Sequence, residues 1–119
     1  MALRALTYED PLFQLLRDGN VKEFNRRKGE KQSIATTDCD FRHLDLRGFD
    51  ASAVDFSDSY FRGADLRGID FSNARLEGAS LNSARISGVL FPAELAPQEI
   101  ELSVNHGNRL RYNRYPAWV

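Results

Sequence analysis

Phe61-Arg62-Gly63-Ala64-Asp65-Leu66-Arg67-Gly68-Ile69-Asp70-Phe71 decides the fold. Its large apolar residues Phe61, Leu66 and Phe71 fall five apart, and Ala64 and Ile69 precede the last two of them by two positions. Followed outward, the first column runs Phe41, Leu46, Ala51, Phe56, Phe61, Leu66, Phe71, Leu76, Leu81, Ile86 and Phe91, with Ala51 its one small residue. The second runs Cys39, Leu44, Phe49, Val54, Ser59, Ala64, Ile69, Ala74, Ala79, Ala84 and Val89. A helix repeats near 3.6 residues and a strand at 2, so a period of five belongs to neither. It identifies a solenoid, an architecture that offers surfaces more readily than clefts.

The unit resembles the pentapeptide-repeat family, whose pattern is roughly Ala-(Asp/Asn)-Leu-x-x. Ala64-Asp65-Leu66-Arg67-Gly68 matches it directly, and Leu44-Asp45-Leu46-Arg47-Gly48 and Ala74-Arg75-Leu76-Glu77-Gly78 are close. Eleven consecutive repeats cover about half the chain; the departures Ala51, Ser59 and Tyr60 leave the register unbroken. The resemblance implies a mainly β fold, a right-handed quadrilateral β-helix with four pentapeptides per coil, so that residues twenty apart stack. Eleven repeats then make just under three coils, roughly 15 Å tall at strand spacing. Gly48, Gly68 and Gly88 fall twenty apart, as a corner column needing positive φ would.

This frame sorts the outward residues onto four faces. Face one carries Asp40, Arg42, Tyr60 and Arg62; face two carries Asp45, Arg47, Asp65, Arg67 and Arg85. Face three carries Asp50 and Asp70 beside Ser52 and Ser72; face four carries Asp55, Asp58, Arg75 and Glu77. Faces one and two sum to +2, faces three and four to −4. The candidate interaction faces are therefore Asp50, Asp70, Asp55, Asp58 and Glu77 on one side, and Arg42, Arg62, Arg47 and Arg67 on the other. The plainer reading is that stacked Asp and Arg columns neutralise one another as exposed pairs, each contributing little.

Residues 1–33 read as an N-terminal helical cap. Asp10 can cap a helix with Pro11 at its first position, Asp18-Gly19-Asn20 turns, and Asn20 with Glu23 has capping-box spacing for a second helix ending at Gly29. Arg27 and Lys28 sit in its last turn, where the helix dipole favours cations. Residues 34–93 form the repeat domain, with a degenerate lead-in at 34–38. Residues 94–119 open with a helix from Pro97 to about His106, closed by Gly107. Ile100, Val104, Tyr112, Tyr115 and Trp118 are the residues expected to cap the last coil or to meet a second subunit.

Composition narrows the function. The net charge is −1 and no segment has a strong basic excess, so direct nucleic-acid binding is not expected. No apolar stretch approaches the roughly 20 residues that span a bilayer, and the N-terminus lacks the pattern of a signal peptide; a cytoplasmic location is the expectation. Cys39 lies on an inward column and His43 on a corner; one cysteine and two histidines make a poor metal set. There is no Gly-rich phosphate loop. No cofactor, no metal and no catalytic residue is expected.

The expected function is a non-enzymatic interaction or scaffold module, with a protein partner or a homodimer through the C-terminal segment. The resemblance implies an alternative. Some pentapeptide-repeat proteins are DNA mimics that bind type II topoisomerases, although their acidic rods are far longer. A small-ligand or enzymatic role using Cys39, His43 or the tail is the remaining alternative.

Overall fold

The computed structural model describes residues 11–29 and 34–113, together with the backbone of Arg4–Ala5. Along the chain come β1 (Arg4–Ala5), α1 (Pro11–Arg17), α2 (Val21–Lys28), β2 (Ile34–Ala35), β3 (Val54–Asp55) and α3 (Pro97–His106). β2 pairs in parallel with β3 in the register Ile34↔Val54, and the same spacing of twenty recurs at Asp40↔Tyr60, Asp45↔Asp65, Asp55↔Arg75, Tyr60↔Ser80, Asp65↔Arg85 and Asp70↔Leu90. The repeat region is a β-helix solenoid in which four pentapeptides complete a coil. Apart from β2 and β3, its strands are single bridges, because each pentapeptide soon turns a corner.

Two features correct the sequence reading. The lead-in is a full repeat: Ile34 pairs with Val54, and the Thr36 and Asp38 amides donate to Asp55 O and Ser57 O at 2.8 and 3.0 Å. Residues 34–93 therefore hold twelve pentapeptides, which make three coils rather than just under three. The N-terminal segment is also more than a helical pair. β1 pairs in parallel with β2, Arg4↔Ile34 and Ala5↔Ala35, and adds a further layer to the same sheet before the helices begin.

Both apolar columns are inside. Phe41, Phe56, Phe61, Leu66, Phe71, Leu76 and Leu81 are at most 1 % exposed. Phe41 stacks on Phe61 with centroids 5.2 Å apart, and Phe56 meets both rings edge-on at 5.8 and 5.5 Å. Each buried ring contributes about 1.5–3 kcal/mol through area removed from water. Small Ala51 is accommodated beside Phe49, whose ring reaches Phe56 at 5.6 Å. Ser59 belongs inside because its hydroxyl donates to Thr36 O at 2.5 Å and accepts from the Cys39 amide at 3.3 Å.

Corners fall at the fifth position of each unit. Gly48, Gly68 and Gly88 have φ of +82°, +75° and +73°, and Asp38, His43, Ala53, Asp58 and Ser83 adopt the same left-handed conformation.

α1 and α2 close the first end. Phe13 packs on Phe41 at 5.5 Å and Phe24 stacks on Phe49 at 4.9 Å. Cap side chains also serve first-coil strand groups that face away from the next coil. Arg17 Nη1 donates to Asp40 O at 2.8 Å, Asn25 Nδ2 donates to Gly48 O at 2.9 Å, and the Asp50 amide donates to Asn25 Oδ1 at 2.9 Å. Asn20 caps α2 through the Glu23 amide, 3.3 Å away. The capping box is not completed: the Asn20 amide is already donated to Leu15 O, and the Glu23 carboxylate turns forward to Arg26 and Arg27. Lys28 lies in the last turn of α2, as the sequence reading has it, and it is also buried there. Val21, Phe24 and Lys28 share one buried helix face, and the Lys28 side chain is wholly enclosed with its ammonium 3.5 Å from Asp50 Oδ2. Asp10 lies outside the described residues.

α3 lies over the last coil. Ser103 Oγ accepts from the Leu81 amide at 2.8 Å, Val104 O from Ser83 at 2.9 Å, and Leu110 O from Gly78 at 2.7 Å. The Leu110 amide returns to Ala79 O, and Tyr112 Oη accepts from Leu76 at 2.8 Å. Gly107, φ +75°, ends the helix. No helix among the described residues is long and apolar enough to cross a membrane.

Candidate interaction faces

The outward surface is built from one small motif. An Asp just before the inward Phe, Leu or Ala turns its carboxylate forward and accepts the backbone N–H two residues on. Asp40 does this for Arg42 at 2.9 Å, Asp45 for Arg47 at 3.2 Å, Asp65 for Arg67 at 3.2 Å, Asp50 for Ser52 at 3.1 Å, Asp55 for Ser57 at 2.9 Å and Asp70 for Ser72 at 2.8 Å. This Asx-type turn fixes the carboxylate against the strand. The residue two positions on then decides the charge.

Where that residue is Arg, the guanidinium lies in a two-pronged contact with the same carboxylate: Arg42 on Asp40, Arg47 on Asp45 and Arg67 on Asp65, with N···O distances of 2.7–2.9 Å. Those repeats neutralise themselves. The pairing is within a repeat rather than along the stacked columns; one contact crosses between coils, Arg47 Nε to Asp65 Oδ2 at 3.4 Å. The guanidinium hydrogen bonds hold Asp40 and Asp65 at about 2 and keep Asp45 below its ordinary value.

Where that residue is Ser, a hydroxyl donates and the charge stays: Ser52 on Asp50, Ser57 on Asp55 and Ser72 on Asp70, at 2.5–2.6 Å. Hydrogen bonds from Ser72 hold the Asp70 carboxyl below the usual range. Burial pushes Asp50 upward, but the Ser52 hydrogen bonds and the Lys28 ammonium outweigh it and leave the group lowered. Asp55 and Asp70 have no cationic partner among the described residues.

The remaining candidates divide in the same way. Glu77 pairs with Arg75 at 3.1 Å. Asp58 is not on a flat face: it occupies the fifth position of its repeat, turns a corner at φ +61°, and stands 3.7 Å from Arg109 Nη1. Arg62 and Arg85 are exposed and have no carboxylate partner among the described residues. One side therefore retains the cations Arg62 and Arg85, and the other the anions Asp55 and Asp70.

Arg109 is a contact that the periodicity did not single out. Its guanidinium lies 5.0 Å from the Tyr60 ring centroid, donates to Tyr60 Oη at 2.5 Å and to Gly78 O at 2.9 Å, and ties the C-terminal segment to the side of the solenoid. Its one sequence signal is the mixture of Arg109, Arg111 and Arg114 with Tyr112 and Tyr115 in the tail. Ile100, Val104 and Tyr112 pack against the core of their own chain. Tyr115 and Trp118 lie outside the described residues.

Cys39 is 4 % exposed; burial pushes its thiol upward and Sγ lies 3.4 Å from Thr37 O. His43 stands at a corner beside Gly63, where an added Cβ would collide with its imidazole ring. No group of three or more His, Cys, Asp or Glu among the described residues is arranged to hold a metal ion.

No curated protein and no solved structure matches the chain. A family model for pentapeptide repeats matches residues 37–73 and 55–91, with eight copies of the unit. Both matches fall inside the coils defined by the bridges of spacing twenty, and the repeat region of the chain belongs to the pentapeptide-repeat family.

Proposed function

We propose that this chain is a non-enzymatic interaction module, a right-handed quadrilateral β-helix whose flat, oppositely charged sides engage a protein partner. The observation that carries it is the sorting of Asp-x-Arg from Asp-x-Ser repeats. The first kind cancels its own charge and the second leaves Asp55 and Asp70 bare, with Arg62 and Arg85 bare on the other side. Surfaces of opposite residual charge steer and orient a partner more than they tighten it. Buried Cys39 and corner-bound His43 support a role without catalysis.

The test is a pull-down with the tagged chain at low and moderate salt, beside Asp55→Asn/Asp70→Asn and Arg62→Gln/Arg85→Gln variants. A partner retained by the wild type, lost from one variant and released by salt supports the reading. Identical retention by all three forms, or none by any, overturns it.

A second reading is favoured by the acidic side alone. Asp55 and Asp70 present carboxylates without a cationic partner among the described residues, which a DNA-binding enzyme, such as a type II topoisomerase, would meet as a substitute for phosphates. Three coils at roughly 4.8 Å each make a low stub beside a DNA duplex, which ranks this reading second. A supercoiling assay with purified gyrase tests it; unchanged activity at micromolar chain removes it.

A further inference from the structure

A groove of about 350 Å³ lies at the corner between faces three and four, where the C-terminal segment meets the coils. The middle coil contributes Val54 and Asp55, the last coil Ala74 and Arg75, and the chain on either side of α3 contributes Glu94 and Tyr112. The spacing of twenty brings the first four together, since Asp55 bridges to Arg75. Two hydrogen bonds bring in the others. The Asn113 amide donates to Glu94 O at 2.8 Å, and Tyr112 Oη accepts from the Leu76 amide at 2.8 Å. Ala53 and Pro92 join Val54 and Ala74 as the apolar part of the lining.

The charges of the groove are unbalanced. Asp55 accepts only from its own repeat, from the amide and hydroxyl of Ser57 at 2.9 and 2.6 Å. The Glu94 carboxylate has no hydrogen bond or ion pair among the described residues. Arg75 is already engaged: it donates to Glu77 at 3.1 Å, and its guanidinium lies 5.9 Å from the Tyr112 ring centroid. Asp55, Glu77 and Glu94 against Arg75 leave two negative charges around the groove. Burial and the nearby Glu94 carboxylate push the Tyr112 phenol up, so the ring stays a neutral phenol.

We propose that this groove binds the cationic end of an alkyl chain, an ammonium or guanidinium carried either by a free amine or by a Lys or Arg side chain of another protein. The apolar lining takes the methylene stem, as it does for long basic side chains elsewhere. The ring of Tyr112 attracts a cation. Asp55 and Glu94 reach the groove from separate elements and supply the charge-assisted hydrogen bonds. The chain makes one such contact for itself, with Arg75 set between Tyr112 and Glu77. An anionic or wholly apolar ligand would cover two carboxylates without pairing them, at a large cost. The volume is at the lower end of small-molecule sites, roughly 300–1,000 Å³, enough for one such group. This rests on the acidic-side reading for Asp55 and goes beyond it in Glu94, Tyr112 and the chemistry of the ligand. Asp70 does not line the groove, which separates the two tests.

Isothermal titration calorimetry of the full chain with 1,4-diaminobutane and with a blocked Gly-Gly-Arg-Gly-Gly peptide tests it, beside the same peptide with Gln for Arg. Both cations are expected to bind and the Gln peptide not. Glu94→Gln and Asp55→Asn, which keeps an oxygen for Ser57, each weaken binding ~10-fold. Asp70→Asn leaves it unchanged. Amide resonances of Val54, Ala74 and Arg75 shift on binding, and circular dichroism confirms that all forms are folded. Tighter binding of the diamine supports a site for a free amine, and tighter binding of the peptide supports one for a protein side chain. No binding of either cation at millimolar concentration overturns the proposal, as does binding that Glu94→Gln and Asp55→Asn leave unchanged. Equal weakening by Asp70→Asn spreads the affinity over the whole acidic side and overturns the groove. Binding seen only in Arg114→Gln assigns the groove to the chain's own arginine and overturns it too. A partner retained through Asp55 and Asp70 by a chain that takes neither cation leaves the interaction-module reading standing.

Discussion

Asp58, at the corner of one coil, holds its carboxylate where a Cβ on Gly78, at the same corner of the next coil, would stand. Gly78 also has φ +82°. Gly68 has φ +75° and open space around it. Gly68→Ala should therefore cost only the left-handed penalty, about 1–2 kcal/mol. Gly78→Ala should cost at least about 1 kcal/mol more, because the carboxylate must move. In an Asp58→Ala background that excess should vanish. Urea midpoints of the four proteins check it; equal losses at both glycines would show that space plays no part.

Thr36 occupies an inward position, and its Oγ1 is buried without a hydrogen-bond partner. Its carbonyl is well used, accepting from Ser59 Oγ. Thr36→Val keeps the shape, removes the stranded hydroxyl and should raise stability by about 1 kcal/mol. A lower melting temperature for the valine variant would contradict this.

The C-terminal cap depends on side-chain oxygens. Ser103→Ala strands the buried Leu81 amide, at a cost of about 1–3 kcal/mol. Tyr112→Phe does the same to Leu76, in a half-buried setting and at the lower end of that range. Hydrogen exchange should locate each effect, with the Leu81 or Leu76 amide accelerated and first-coil amides such as Phe41 unchanged. Uniform acceleration would mean that the cap is not a separate unit.

Acid should weaken the fold within a definite window. Hydrogen bonds from Arg42 and Arg67 hold Asp40 and Asp65 at about 2, against an ordinary value of 3.8. Glu23, bonded by Arg26 and Arg27, is also at about 2. The folded chain thus binds fewer protons than the unfolded one between these values. Stability is complete above the ordinary carboxylate range and is lost as pH falls from about 4 to about 2. Melting temperatures at constant ionic strength should be level from pH 5 to 7 and fall below 4. These groups are near the surface, so added salt should shrink the drop.

The period of five placed residues 39–93 because each apolar position repeats too often to be accidental. It failed at the ends. Thr36, polar at an inward position, hid the first repeat. β1 is two residues long, and neither alternation nor a repeat can be read from Arg4-Ala5. Lys28 followed the dipole argument although its spacing from Val21 and Phe24 already put it on the apolar face. The charged sides were legible as sums, whereas the Asp-x-Arg and Asp-x-Ser distinction needed the turn of each carboxylate toward its own repeat. Arg109 on Tyr60 joins residues 49 apart, a distance that no periodicity spans.

The direction of the inter-coil hydrogen bonds has a consequence for the two ends. Phe41 and His43 donate forward to Tyr60 O and Arg62 O, while Tyr60 donates backward to Cys39 O. A repeat bonded in this way sends two N–H groups toward the C-terminus and one toward the N-terminus. The solenoid is thereby a polar stack, hydrogen-rich at its last layer and oxygen-rich at its first, the reverse of an α-helix. Its lids are matched to that polarity: Arg17 and Asn25 bring donors to carbonyls at the start, and Ser103, Val104 and Tyr112 bring oxygens to amides at the finish. Lids transplanted from one end to the other would meet groups of their own kind, so a longer or shorter relative can gain or lose whole coils only between them.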